Sequence, residues 1–373
     1  MQQAVVPASA DVEVPRLGKT LVVFIAIAAA FLLLVAVLNV IFDPLNFDRF
    51  AQARVAEQLT TGHNVAVYDP NLDFRALRRE SIARMTSTPD VVIFAGSRFQ
   101  EARPDYFNGS GYTFYNAFVH NDYFEDLVAI TQLLEANGRL PKTLVLSVRF
   151  NSFNTIGSRE TEEYKNFSGE YARLAPRIGA PALSPLEGLP FRFWSNLFSL
   201  QLLAHNVQRA MAPHETAPGP TAADTLPTLD VLRADGSLGF SRKHGAPTSR
   251  ESSRADAVAR GEQARAWGWT ADPARVDAFG RLLEHLRAHG TRVVVAIMPH
   301  HPVFWQTIRG SEFGTGMARL EQQTRALGAQ HGATVVGSFD PAVAGCNEAT
   351  FRDYIHFDTS CLKGVFAKIP IGR

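Results

Sequence analysis

The sequence carries almost no excess of either charge: 37 lysines and arginines stand against 36 aspartates and glutamates, a formal net charge of +1. The basic residues are spread along the chain rather than clustered, so the electrostatic footprint of a nucleic-acid surface is missing and no nucleic-acid partner is expected. Internal repeats are lacking beyond a recurring helix–strand unit, and the one biased stretch is the Pro, Thr and Ala-rich segment from Ala212 to Pro227. Cysteine is scarce, with two residues in 373, Cys346 and Cys361, and neither has the strand-end setting that exposes a nucleophile. Apolar sequence is plentiful. With 46% hydrophobic and 20% charged residues the composition is that of a globular chain rather than a disordered one.

Leu21 to Phe42 is an unbroken apolar run whose only strongly polar member is Asn39. A helix of that length spans a hydrocarbon core of roughly 30 Å. A cleavable signal has a shorter apolar core followed by small residues, whereas this run ends in Val40, Ile41, Phe42, Asp43 and Pro44, which favours an uncleaved anchor. Arg16 and Lys19 precede the run and Asp43 and Asp48 follow it, which puts the N-terminus in the cytoplasm and the rest outside, although Arg49 and Arg54 dilute the asymmetry. The expected organisation is a cytoplasmic tail (1–18), a single-pass anchor in the cytoplasmic membrane (19–43) and one extracytoplasmic, periplasmic domain (44–373). In that compartment a disulfide between Cys346 and Cys361 is chemically permitted, and two unpaired buried thiols are the other reading.

Beyond a lead-in with a helix near Arg75 to Met85, the pattern becomes regular. Val91 to Phe94 is a short apolar run that reads as a strand buried on both faces. Asp122 with Glu125 forms a capping-box pattern, and Phe124, Leu127, Val128, Thr131 and Leu134 recur at helical spacing until Gly138 and Pro141; the strand Thr143 to Val148 follows. The unit recurs with Asp272 as cap, Pro273 at the first helical position, Val276, Phe279, Leu283 and Leu286 on one face, and the strand Val293 to Met298. A third copy runs from Met317 through Leu320, Thr324 and Leu327 to Gly332, then Ala333 to Val336. Helices alternating with short apolar strands predict an α/β fold, a three-layer sandwich around a central parallel sheet. Residues 155 to about 270 break the rhythm, with one amphipathic helix near Trp194 to Met211. An insertion there is expected to lie over the carboxyl ends of the strands, where open α/β sheets bind ligands.

Ser97 follows the strand Val91–Phe94 directly, and Asp353 and His356 share one short segment, RDYIH. A serine hydroxyl needs a base, histidine suits that task, and a carboxylate can hold the imidazole by one ring nitrogen while the other faces the serine. The segment AGSR, Ala95 to Arg98, resembles the first block of the SGNH or GDSL hydrolase superfamily, in particular a bacterial membrane-anchored branch that reads G-S-S-R there. Ala95 replaces the usual glycine, Gly96 takes the variable position and Ser97 matches the nucleophile. Asp353 and His356 match the final D-x-x-H block. The resemblance covers about Val91 to Ser152 and Asp272 to Gly364, including Met298, Pro299, His300, His301 and Pro302, and excludes the insertion.

The resemblance implies an oxyanion hole made by the Ser97 N–H, a glycine of the second block and an asparagine of the third. Here Tyr115, Asn116 and Ala117 stand in the second block, without a glycine, and Arg149, Phe150 and Asn151 stand in place of G-x-N-D. Asn116 and Asn151 are therefore the candidate donors. Arg98 and Arg149 are candidate contacts for an anionic sugar or carboxylate, and His300 and His301 could line the site. Neighbouring histidines on an extended backbone point in different directions, so no metal or other cofactor is expected. The activity implied is ester hydrolysis or O-acyl (acetyl) transfer on a cell-envelope carbohydrate. Its expected partners are a carbohydrate acyl ester or acyl donor, the membrane and a membrane-bound acyltransferase. The alternative is a catalytically inactive relative that binds an envelope polysaccharide or such an acyltransferase.

Overall fold

The computed structural model describes residues 14–42, 51–67, 72–109, 111–154, 167–183, 196–211, 219–243, 245, 248–369 and 371. The tail 1–13, the flanking Asp43 and Asp48, most of Ala212 to Pro227's first half and the predicted helix start at Trp194 lie outside them. The chain divides into two compact units, Met1–Phe47 with Arg192–Pro213, and Asp48–Phe191 with His214–Arg373. Part of the expected insertion thus clusters with the N-terminal segment rather than with the domain.

In the first unit, helix α1 (Val14–Phe42) contains the 24 residues Gly18–Ile41, with a mean hydropathy of 3.3, long and apolar enough to cross a membrane. Its Val35, Ala36 and Asn39 are buried. The Asn39 side-chain amide donates to the carbonyls of Asn196, Leu197 and Ser199 at 3.1–3.2 Å. These residues lead into a helix over Leu200–Met211 that packs on α1. A polar side chain near the end of an apolar helix thus fastens a second segment to it.

The second unit is built on five parallel strands in the order β3-β2-β4-β8-β9: β2 (Val91–Phe94), β3 (Phe114–Asn116), β4 (Thr143–Val148), β8 (Arg292–Ile297) and β9 (Thr334–Gly337). Of the four expected strands, β2 and β4 match outright, and β8 and β9 match to within a residue at each end. The short β3 was not expected, because three residues of Phe, Tyr and Asn carry no periodicity. Side chains alternate along each strand. Val92, Phe94, Leu144, Leu146, Val293, Val295 and Ile297 join one core cluster, which also holds Leu127, Ile130, Phe279, Leu283 and Leu320 from the predicted helices. Val91, Ile93, Val145, Val294 and Ala296 join the other, with Phe99, Phe107, Leu362 and Phe366. Both faces are covered, as the apolar strands require.

Counted along the chain, the sheet order is 2-1-3-4-5, so the chain leaves β2 in one direction towards β3 and crosses back past it to β4. A crevice opens at the carboxyl ends of β2 and β4, at this switch point.

The helix after β3 runs over Phe124–Ala136, here α4, following α2 (Ala51–Thr60) and α3 (Phe74–Arg84). Its N-cap is Tyr123, whose N–H is accepted by Asp126 at 2.9 Å. The expected cap at Asp122 is therefore displaced by one residue: Glu125 instead pairs with buried Arg275 at 2.5 Å, and Asp122 turns toward the crevice. Asn121 enters this bend at φ 49°, a left-handed conformation that asparagine tolerates.

A four-stranded antiparallel sheet, β5-β1-β6-β7, was also not expected; it joins β1 (Asn64–Val67) to β5 (Gly219–Thr221), β6 (Asp230–Leu232) and β7 (Leu238–Gly239). Its β6–β7 turn holds the edge of the parallel sheet: the Asn116 N–H donates to Asp235 O at 2.7 Å, and buried Arg78 donates to Gly236 O at 2.9 Å. Gly236 has φ 81°, and a Cβ there would run into the Asn116 carbonyl.

Arg75 reaches Asp126 through two bonds of 2.8 and 2.6 Å, both side chains buried, and joins α3 to α4. Removing one partner of such a pair leaves a desolvated charge uncompensated. Asp126→Ala is expected to lower the unfolding free energy by about 3–5 kcal/mol, read from the urea midpoint; a loss under about 1 kcal/mol, the worth of a surface pair, would show that the pair carries no such load.

Candidate active site

After β2 the chain stays extended through Gly96 and then closes a 3₁₀ turn, Ser97–Phe99, with Phe99 N–H on Gly96 O at 3.0 Å and Gln100 N–H on Ser97 O at 3.2 Å. The Ser97 N–H heads this turn and stands outside its ladder. Gly96 is required by its surroundings: a Cβ there would collide with the carboxylate of Asp122. Asp122 accepts from Arg149 Nη1 at 2.9 Å and from the Ser147 hydroxyl, which ties the loop between β3 and α4 to the end of β4 beside the serine turn.

The hydrogen-bond partner of Ser97 arrives from the far end of the chain. Asp353 folds its own turn, accepting the N–H groups of Ile355 at 2.8 Å and His356 at 2.7 Å on Oδ1. Its Oδ2 takes His356 Nδ1 at 2.6 Å. With Nδ1 protonated toward Asp353, Nε2 is free to accept, and it lies 2.9 Å from Ser97 Oγ. Ser97, His356 and Asp353, 259 and 3 residues apart in sequence, thus form one hydrogen-bonded chain. Burial works to raise the Asp353 carboxyl, but the His356 imidazole and the two backbone donors outweigh it and hold the carboxyl below its ordinary range.

Several contacts fix this segment. Cys346 and Cys361 are joined in a disulfide, Cα–Cα 5.3 Å, that encloses it. Phe351 bridges to Phe357. The Tyr354 carbonyl accepts the His301 N–H at 3.0 Å, and its N–H donates to Asp256 at 3.1 Å.

The other predicted site residues divide. Asn116 is not an oxyanion donor: its amide is spent on the carbonyls of Phe99 at 2.8 Å and Ala102 at 3.1 Å, while Oδ1 accepts Phe118 N–H. A buried amide at a strand end had the loop's own unpaired carbonyls to satisfy, and it holds the serine loop in place. Asn151 sits in the turn after β4 and lines neither of the two cavities that contain Ser97. His300 and His301 are fully buried and make no wall of the cavities. The His300 ring stacks on Phe304 at 5.1 Å, and burial, then Arg98 and Arg149, push it well below its ordinary pKa. His301 Nδ1 caps the following helix by accepting Val303 N–H at 3.1 Å. Arg98 and Arg149 line a small recess together with Ser97.

A cavity of about 660 Å³ opens over Ser97 and His356, lined by Arg98, Glu101, His120, Arg352 and, from the insertion, Phe240 and Asp256. Arg352 pairs with Glu101 at 3.2 Å and lies over the Phe240 ring at 5.2 Å. The expectation that the insertion overlies the strand ends holds for Phe240, Thr248, Ser252 and Asp256, which line this cavity. Asp122, Glu101 and Arg352 went unrecognised in the sequence: no spacing marks them, and Asp122 matched a helix cap. Away from the serine, Glu135, His285 and His289 bring ligand atoms within 4.8 Å of one another, but Glu135 already accepts from Arg177 at 3.0 Å and bonds His285 at 2.9 Å. Comparison with known proteins returned no match among family models, curated proteins or solved structures.

Two outcomes follow from this geometry. The disulfide closes a loop of 15 residues, worth about 3 kcal/mol by loop-closure entropy. Cys346→Ser with Cys361→Ser is expected to lower the unfolding free energy by that order, and an unchanged urea midpoint would count against it. The depressed Asp353 carboxyl contributes stability above the ordinary carboxylate range and loses it as pH falls through the folded value. The stability gap between wild type and Asp353→Asn should therefore narrow between about pH 5 and pH 2; a gap that widens in acid would reverse the sign.

Proposed function

We propose that this chain is a membrane-anchored, SGNH-like serine esterase or O-acyltransferase acting on a carbohydrate of the cell envelope. The observation that carries the proposal is the hydrogen-bonded series Ser97 Oγ, His356 Nε2, His356 Nδ1, Asp353 Oδ2, at 2.9 and 2.6 Å. In this reading the fold is the three-layer sandwich of that superfamily, which the coverage of both sheet faces supports. Helix α1 is the single-pass anchor, and the domain works on the extracytoplasmic side, where a disulfide persists.

Ser97 Oγ bonds to the ester carbonyl carbon as His356 Nε2 takes its proton, while Asp353 steadies the imidazolium that forms. The tetrahedral intermediate expels the alcohol, which leaves with the proton from His356, and the acyl group remains on Ser97. Water or a sugar hydroxyl then repeats the sequence in reverse, deprotonated by His356. The polar groups that line the cavity, with aromatic faces at Phe240 and Phe357, suit a hydroxyl-rich substrate. Hydrolysis and transfer differ only in the second nucleophile, and a membrane-bound acyltransferase would be a source of acyl groups. The loss of Asn116 as a donor is what favours the second reading, a non-catalytic relative that binds an envelope polysaccharide or such an acyltransferase.

A fluorophosphonate probe decides between them. The folded protein should acquire one adduct, on Ser97, absent from Ser97→Ala, and that variant should lose ester turnover by at least about 10⁴-fold. No adduct alongside an active control hydrolase, with a cellular phenotype that Ser97→Ala leaves intact, would overturn the enzyme reading in favour of binding.

A further inference from the structure

Against Ser97 lies a second, much smaller recess of about 10 Å³, lined by Gly96, Ser97, Arg98, Ser147, Arg149 and Ile355 among others. It has room for a single oxygen-sized atom. Two guanidinium groups border it, and each has one N–H that is sealed from solvent and lacks an acceptor: Nη2 of Arg98 and Nε of Arg149. Elsewhere these side chains are bonded, Arg98 through Nη1 to the carbonyls of Met298 at 3.0 Å and Pro299 at 3.4 Å, Arg149 through Nη1 to Asp122 at 2.9 Å. A buried donor with no acceptor is unfavourable, and here two cationic ones border a single recess beside Ser97.

The charge balance points the same way. Two cations share this pocket with one bonded carboxylate, Asp122. Burial first, and then the nearby Arg149, lower the Arg98 guanidinium to about 10. The region beneath Ser97 is thus electropositive and brings together two buried donors for which the protein supplies no acceptor. The two amides expected to complete an oxyanion hole are absent from it, Asn116 because its amide is spent on the loop and Asn151 because it lies elsewhere.

We propose that this recess is the oxyanion hole, with Arg98 Nη2 and Arg149 Nε joining the Ser97 N–H as its donors. The inference rests on the serine-ester reading above. As Ser97 Oγ bonds to the acyl carbon, the electron pair of the carbonyl π bond moves onto its oxygen, and that oxygen enters the recess. When the alcohol departs with its bonding pair and takes the proton held on His356, the oxygen's pair re-forms the carbonyl and the charge is gone. The guanidinium donors meet a charge that exists only between these two events, which is where fixed donors lower a barrier. The usual glycine and asparagine become dispensable because two cations replace two neutral donors.

The test uses the full chain in detergent, with p-nitrophenyl acetate and a phosphonylating probe. Arg98→Lys and Arg149→Lys each keep a positive charge but withdraw the N–H that faces the recess. Each is expected to lower kcat by about 10²–10³-fold while KM stays within about threefold, the signature of an interaction made in the transition state. Unfolding midpoints close to that of wild type establish that the variants fold. A structure of the wild-type phosphonyl-Ser97 adduct needs no variant: its phosphoryl oxygen should lie within about 3.2 Å of Arg98 Nη2 or Arg149 Nε. If wild type labels and turns over but both lysine variants keep its kcat, or the phosphoryl oxygen lies outside the recess, the guanidinium hole is wrong while the esterase reading stands. If wild type neither labels nor turns over, the esterase reading falls and the hole with it.

Discussion

The Asp122–Arg149 ion pair is the constraint on which the rest of the site depends. It joins the loop between β3 and α4 to the end of β4 beside the turn that follows β2, and the Ser147 hydroxyl completes the carboxylate's bonding. Because the carboxylate fills the space that a side chain at residue 96 would need, the chain must carry glycine there. That glycine lets the backbone pass close over the pair and turn at once into the 3₁₀ segment that exposes Ser97. The sheet order supplies the meeting point, since only at a switch of winding direction do strand ends from both sides converge on a central strand. Topology, a buried ion pair and a glycine are thus one arrangement seen at three scales.

The acid–base half is held by different means. Asp353 spends one carboxylate oxygen on its own turn and the other on the imidazole, so the group that orients His356 also fixes the backbone that carries it. Its turn is clamped by a covalent bridge, by the Phe351–Phe357 pairing and by the His301 N–H. The histidines at 300 and 301 serve that scaffold from inside the core. Rigid support of this kind is what positions a base within hydrogen-bond reach of a hydroxyl without help from substrate.

Much of this was legible in the sequence, and the division has a physical basis. Ser97, Asp353 and His356 could be read because each sits in a local pattern, a strand end or a three-residue spacing, that survives without knowledge of the fold. The helices whose apolar positions recur at Phe279, Leu283 and Leu286 were legible for the same reason. The antiparallel sheet was not, since strands of two to four residues such as Leu238–Gly239 contain no period to detect. Asn116 and Asp122 were misread because side-chain chemistry alone does not say which neighbour claims an amide or a carboxylate. Asn116 went to the carbonyls of the serine loop, and Asp122 to an arginine that lies 27 residues away.

The long separation between Ser97 and His356 has a consequence for how the molecule comes into being. A ribosome delivers the serine early and the imidazole only after more than two-thirds of the chain has followed. Until then Ser97 is an ordinary hydroxyl, because the imidazole that hydrogen-bonds it has not yet been made. Bridging Cys346 to Cys361 comes later still. An unfinished, truncated or unoxidised chain therefore carries Ser97 without His356 firmly held against it, and the reactivity proposed for that hydroxyl would arrive only with completed folding.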